Sequence, residues 1–170
     1  KRRTNTTASP PKYAAIVDFP YGVSFTGSPV QLQPPVEPLE GKVVTIVGDV
    51  RHSRVARSNV HCLPKLGAKV RFCGPPTMMP AGVDQLGAKV FFDLKEAVDG
   101  AYAVMMLRIQ HERIGDPLIP NTREYSRYWG LNAKKAAEWL KPSCVILHPG
   151  PINRGVELSP DVADGGRSVI

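Results

Sequence analysis

Residues 42–49 read Lys42-Val43-Val44-Thr45-Ile46-Val47-Gly48-Asp49. The run is apolar, β-branched and without alternation, which suits a strand buried on both faces of a parallel sheet. Gly48-Asp49 ends it. The period then changes. Val55, Val60, Leu63 and Leu66 recur at helical spacing after Ser53, and Gly67 closes that helix as a C-cap does. Pro64 falls inside the predicted helix, where an interior proline costs about 3 kcal/mol. A kink or an early end is expected there.

The same alternation continues outward. Lys69-Val-Arg-Phe-Cys73 predicts a second strand, stopped by Gly74-Pro75-Pro76. A short helix is expected over 80–86 and a third strand over 89–92. Asp93 is placed to cap a helix running to Val98. A fourth strand is expected over 101–107, helices over 121–129 and 132–140, and a fifth strand over 144–147. His148-Pro149-Gly150-Pro151 ends that last strand. Strands alternating with helices imply right-handed crossovers. The expected fold class is α/β, a three-layer parallel sheet with helices on both faces. No internal repeat is visible.

Residues 1–40 have another texture. Lys1, Arg2 and Arg3 begin a basic, Thr-rich stretch that ends in Pro10-Pro11, and Gly22, Gly27, Pro29, Pro34, Pro35 and Pro38 follow. Prolines remove backbone donors and fix φ, so an irregular segment is expected. Residues 13–19 are its one apolar stretch, compatible with an edge strand. The organisation expected is therefore an irregular Pro/Gly-rich segment over 1–40 and an α/β domain over 41–170. A chain that starts at Lys1 and stops after Val169-Ile170 is expected to be part of a longer protein.

Bulk properties narrow the function classes. Hydrophobic residues make up 42% of 170, enough for one core. The net charge of +7 suits small anionic ligands, anionic surfaces or plain solvation. No basic stripe carries interleaved aromatics, so a nucleic-acid partner is not expected. No apolar run reaches membrane-spanning length, so no membrane partner is expected. Cys62, Cys73 and Cys144 form no C-x-x-C pair. They are expected to be reduced thiols in a cytoplasmic protein, not a disulfide framework or metal site.

In parallel α/β sheets, ligands sit outside the carboxyl ends of the strands. That rule selects residues 48–54, 107–110 and 148–154. In the first, Arg51, His52, Ser53 and Arg54 crowd a helix start, where the helix dipole and free N–H groups favour an anion. Guanidinium groups add bidentate binding of a carboxylate or phosphate. Arg51 and Arg57 suit solvated surface charges; Arg54, nearer the strand end, suits a ligand contact. The pattern is not Gly-x-Gly-x-x-Gly, so a nicotinamide cofactor is not indicated. In the second segment, Arg108 and Gln110 stand two apart and share one side of an extended chain. They suit the grip of a carboxylate and its neighbouring amine, and equally a polar strand end reaching water. In the third, two prolines and a glycine make a stiff loop able to offer carbonyls to a ligand amide. No nucleophile elbow is present.

Taken in order, these stretches resemble a known family. They are Gly48-Asp-Val-Arg-His-Ser-Arg-Val-Ala-Arg-Ser-Asn59, Cys73-Gly-Pro-Pro-Thr77, Met105-Met-Leu-Arg-Ile-Gln110, Arg123-Glu-Tyr-Ser126 and His148-Pro-Gly-Pro-Ile-Asn-Arg-Gly155. Together they resemble the second, aspartate-binding domain of aspartate carbamoyltransferases, over about residues 41–170. The resemblance implies a Rossmann-like domain, and transfer of the carbamoyl group of carbamoyl phosphate to L-aspartate in pyrimidine biosynthesis. It implies that Arg54, Arg108 and Gln110 bind aspartate and that Gly150 and Pro151 hold the carbamoyl amide. His148 would support that loop, and Asp49 would be structural. It implies no metal, no organic cofactor, and a homotrimer for the full-length enzyme. The family's phosphate loop and its borrowed lysine have no counterpart in residues 1–40. The chain is therefore expected to carry half a site and to be inactive alone; the alternative is a transcarbamoylase-like binding or interaction domain. His61-Cys-Leu-Pro64 spells a motif of ornithine carbamoyltransferases, but it lies in the first predicted helix. The late position reads His148-Pro-Gly-Pro151, the aspartate type.

Overall fold

The stretch 43–47 forms the middle of the sheet. The structure is a computed structural model that describes residues 38–109 and 121–170. Among the described residues there are five strands: β1 (Val43–Val47), β2 (Lys69–Cys73), β3 (Lys89–Phe91), β4 (Ala103–Met106) and β5 (Val145–Leu147). All neighbours are parallel, in the order β3-β2-β1-β4-β5. Val43 stands opposite Lys69 on one side of β1, and Val44 opposite Ala103 on the other.

Because β1 is paired on both edges, its side chains alternate between two apolar layers. Val44 and Ile46 pack with Phe72 of β2 and with Ala56 and Val60 of α1 (Arg54–Cys62). Val47 packs on the opposite face with Val104, Met106 and Ile146, and with Leu94 and Ala97 of α2 (Leu94–Val98). Ala136 of α4 (Ala133–Trp139) and Val162 of α5 (Pro160–Ala163) join this second layer. Each fully buried Ile or Phe contributes about 1.5–3 kcal/mol, so β1 and its neighbours dominate the core. Thr45 is the one polar residue within β1. It is buried, and its Oγ1 donates to the Ala97 carbonyl at 2.8 Å, so the hydroxyl is satisfied.

The cap expected at Asp93 is present, and Asn121 and Asn132 cap the next two helices in the same way. Asp93 accepts from the Glu96 N–H, Asn121 from Glu124 ahead of α3 (Thr122–Tyr128), and Asn132 from Lys135 ahead of α4. Two expectations about helices are corrected. The first helix stops at Cys62, and Leu63–Leu66 is a 3-10 turn with Pro64 in its first positions. A first turn needs no N–H from proline, so the expected interior cost is avoided. Gly67 does close the segment, at φ +81. In place of a helix over 80–86 there is a 3-10 turn, Val83–Leu86, and another 3-10 turn, Pro76–Met78, precedes it. Helix α5 was not anticipated, although Pro160 stands at its first turn after Ser159.

The chain winds outward from β1 to β3, then returns past β1 to β4 and β5. The strand order therefore reverses between β1 and β4, and a crevice opens outside their carboxyl ends. Residues 1–37, with the edge strand expected over 13–19, lie outside the described residues, as do residues 110–120.

Candidate functional site

A cavity of about 180 Å³ occupies that crevice. The turn after β1 contributes Asp49 and His52; the start of α1 contributes Ser53 and Arg54. Leu107 and Arg108 come from the end of β4, and Pro149 and Gly150 from the loop after β5. All three strand-end segments selected from the sequence thus meet at one place. Arg51 and Arg57 are exposed and do not line the cavity, in keeping with their reading as solvated charges. Pro151 is exposed beside the cavity lining, and Gln110 lies outside the described residues.

Local contacts shape the turn that carries Arg54. Gly48 adopts φ +125, a conformation that favours glycine, and a Cβ there would stand 3.1 Å from Leu107 Cβ and 3.2 Å from Tyr125 Oη. Ser53 caps α1 by accepting from the Ala56 N–H at 3.1 Å. The Arg51 N–H donates to the Met78 carbonyl at 2.9 Å, which ties the turn to the segment after β2. Asp49 is buried and accepts from the His52 N–H at 3.1 Å. The turn is held mainly by backbone and short side chains, which leaves the long side chain of Arg54, exposed, at the cavity.

The loop after β5 is built from buried polar groups. The His148 and Glu157 side chains are both 0% exposed. His148 Nδ1 accepts from the Gly150 N–H at 2.9 Å, so the hydrogen of a neutral ring sits on Nε2. Nε2 lies 3.2 Å from Glu157 Oε1 and donates to it. The same oxygen accepts from the Asn153 N–H at 2.7 Å, and Asn153 Nδ2 donates to the Ile109 carbonyl at 2.9 Å. This last bond ties the loop to the segment that carries Arg108. Gly150 is at φ +65, again glycine's region.

Beneath the crevice, Tyr125, Met78 and Ile109 form a small buried cluster. Burial pushes the Tyr125 phenol well above its ordinary 10.0, and electrostatic interaction with Glu157, Cys73 and Asp49 as they ionise pushes the same way. Burial also pushes the Cys73 thiol up to about 12, with Asp93 adding to it, so Cys73 stays protonated and unreactive at neutral pH.

Sequence reasoning missed Glu157 and the linking role of Asn153. The available signal for Glu157 was a carboxylate between Val156 and Leu158. An acid flanked by apolar residues is easily taken for a surface charge. Chemically, one guanidinium at a helix start (Arg54) and one at a strand end (Arg108) suit an anion with two carboxylates, and the loop backbone suits a neutral amide. Among the described residues, no group of three or more His, Cys, Asp or Glu side chains is arranged to hold a metal ion. No helix among them is long and apolar enough to cross a membrane.

Comparison with known proteins agrees with the ordered motifs. Residues 40–170 match the family model described as aspartate/ornithine carbamoyltransferase, Asp/Orn binding domain. An aspartate carbamoyltransferase catalytic subunit of Anaeromyxobacter sp. (strain K) is 83% identical over 132 residues, which cover 78% of this chain and 42% of that relative. Among solved structures, ornithine carbamoyltransferase from Thermus thermophilus is similar with a TM-score of 0.60 at 27% identity, over 78% of this chain and 42% of its own. The ornithine carbamoyltransferase from Pyrococcus furiosus reaches 0.66 at 24% identity, over 78% and 44%, and speaks for the fold alone. The chain thus spans about two-fifths of the length of the relatives it matches.

Proposed function

The chain belongs to the aspartate/ornithine carbamoyltransferase family through its Asp/Orn binding domain, and on that premise we propose that it is the aspartate-binding part of an aspartate carbamoyltransferase. The domain proposed runs over 41–170. The observation that carries the reading is the cavity at the β1/β4 reversal, where Arg54 and Arg108 meet the Pro149–Gly150 segment. The 83% identity to a protein named for aspartate supports aspartate over ornithine. So does chemistry, because two cationic side chains suit a dianionic substrate and oppose a cationic one.

In this reading the guanidinium groups of Arg54 and Arg108 hold the two carboxylates of L-aspartate, and Gln110 meets the amine. The backbone at Gly150 and Pro151 holds the carbamoyl amide of carbamoyl phosphate. The neutral amine attacks the carbamoyl carbon; a C–N bond forms, the C–O bond to phosphate breaks, and phosphate leaves with the electron pair as the nitrogen loses a proton. Positioning and stabilisation of the tetrahedral intermediate supply the catalysis. His148 acts through Gly150 as a positioning residue. The grip on phosphate belongs to the three-fifths of the relatives' length that this chain does not match, so the isolated chain binds without turning over. The full-length protein acts, in the same reading, as a cytoplasmic homotrimer.

Calorimetry with L-aspartate tests the site. Arg108→Ala weakens binding by about tenfold or more, the loss of roughly 1.4 kcal/mol or more. Equal affinity in the variant overturns the assignment. Measurable N-carbamoyl-L-aspartate from the isolated chain overturns the statement that it is catalytically incomplete.

A further inference from the structure

His52 lines the same cavity as Arg54 and Arg108, and the reading above gives it no task. Its side chain is 44% exposed, while that of Asp49 beside it is 4% exposed. Nδ1 lies 3.1 Å from Asp49 Oδ1 and 3.0 Å from Oδ2. A carboxylate only accepts, so Nδ1 carries a hydrogen whatever the charge of the ring. The charge is therefore decided at Nε2, which makes no hydrogen bond among the described residues. Unprotonated, Nε2 presents a lone pair that repels a carboxylate. Protonated, it presents a cationic donor that binds one.

The other charged side chains lining the cavity are Asp49 from the same turn, Arg54 from α1 and Arg108 from the end of β4. The Pro149–Gly150 segment adds none, and Arg51 next in the turn is exposed outside the lining. Two arginines oppose a third positive charge. A bound dianion removes that opposition and supplies an acceptor. We propose that His52 is a proton-linked specificity residue of this site: a dicarboxylate held by Arg54 and Arg108 draws a proton onto Nε2, and the imidazolium becomes a third cationic contact. The proposal rests on the amino-acid-binding reading and extends it to regulation by pH. Linkage is reciprocal, so ligand affinity falls as pH rises across the range in which imidazoles lose their proton, generally between 5 and 8.

The probe is succinate, a dicarboxylate with no amine of its own to titrate. Heats of binding are measured in buffers of different ionisation enthalpy, which count the protons taken up. The unaltered chain takes up a fraction of a proton per succinate at pH 7, and its affinity falls several-fold between pH 6.5 and 8.5. His52→Asn keeps an amide donor for Asp49 and removes the titrating nitrogen. It loses both the uptake and the pH slope, while its affinity stays near the high-pH value of the unaltered chain. Uptake in His52→Asn equal to that of the unaltered chain overturns the proposal. If Arg108→Ala still weakens binding in that case, the site reading stands. Absence of succinate binding at every pH overturns both. Circular dichroism checks folding, and His52→Gln carries the same comparison if His52→Asn unfolds.

Discussion

The turn after β1 and the loop after β5 border one cavity but are built in opposite ways. The turn satisfies its own backbone with short contacts, such as the Ser53 cap and the Arg51 N–H on Met78, and leaves Arg54 exposed. The loop instead is built on a buried pair of ionisable side chains. His148 and Glu157 have no exposed side-chain surface, and they hold Gly150 and Asn153 in place. One region leaves side chains lining the cavity; the other uses its side chains to shape backbone. Substitution in the turn is therefore expected to change binding with little change in stability, and substitution in the loop to do the reverse.

The largest effect is expected from Glu157→Ala. It strands the His148 Nε2–H and the Asn153 N–H in a buried setting, and the chain loses about 3 kcal/mol of stability in a denaturant melt. A loss below about 0.5 kcal/mol would erase the contrast between the two regions. Arg54→Ala comes next. L-aspartate affinity drops by about tenfold while the melt moves by less than about 0.5 kcal/mol, as for an exposed side chain. A variant that loses stability in step with affinity would make the turn a structural element like the loop.

Tyr125→Phe is the smallest change and sharpens the comparison beneath the cavity. The Tyr125 hydroxyl is buried without a hydrogen-bond partner among the described residues, so its removal alters stability at pH 7 by about 1 kcal/mol or less. The effect is on pH dependence. Burial, then Glu157, Cys73 and Asp49, hold the phenol value above its ordinary 10.0. The folded chain thus keeps this proton where the unfolded chain has lost it, and stability falls as pH rises beyond about 10. Tyr125→Phe lessens that alkaline slope. An unchanged slope between pH 9 and 11 would remove Tyr125 from the account.

Much of this was legible in the sequence wherever the cause is local. Short apolar runs, β-branched in β1, predicted all five strands, and Asp93 marked its helix start, because these signals act over a few residues. Arg54 and Arg108 could be singled out because strand ends are recognisable and guanidinium chemistry is specific. Pro64 was seen as a conflict, but its resolution into a 3-10 turn needed the packing around it. Glu157 was illegible for a different reason. A glutamate is usually solvated, and only the arrival of His148 and Asn153 makes its burial tolerable.

By itself the sequence determined the alternation of strand and helix, the parallel class of the sheet, and the three strand ends at which a ligand would be met. Those follow from side-chain shape, period and capping, which each segment carries within itself. Only the tertiary structure decided that β4 lies beside β1 and not beside β3, and so that residues 48–54 face Arg108 and the loop after β5. Strand order is set by burial and pairing between distant segments. Those terms act once the whole sheet has assembled, and no single stretch of the chain contains them.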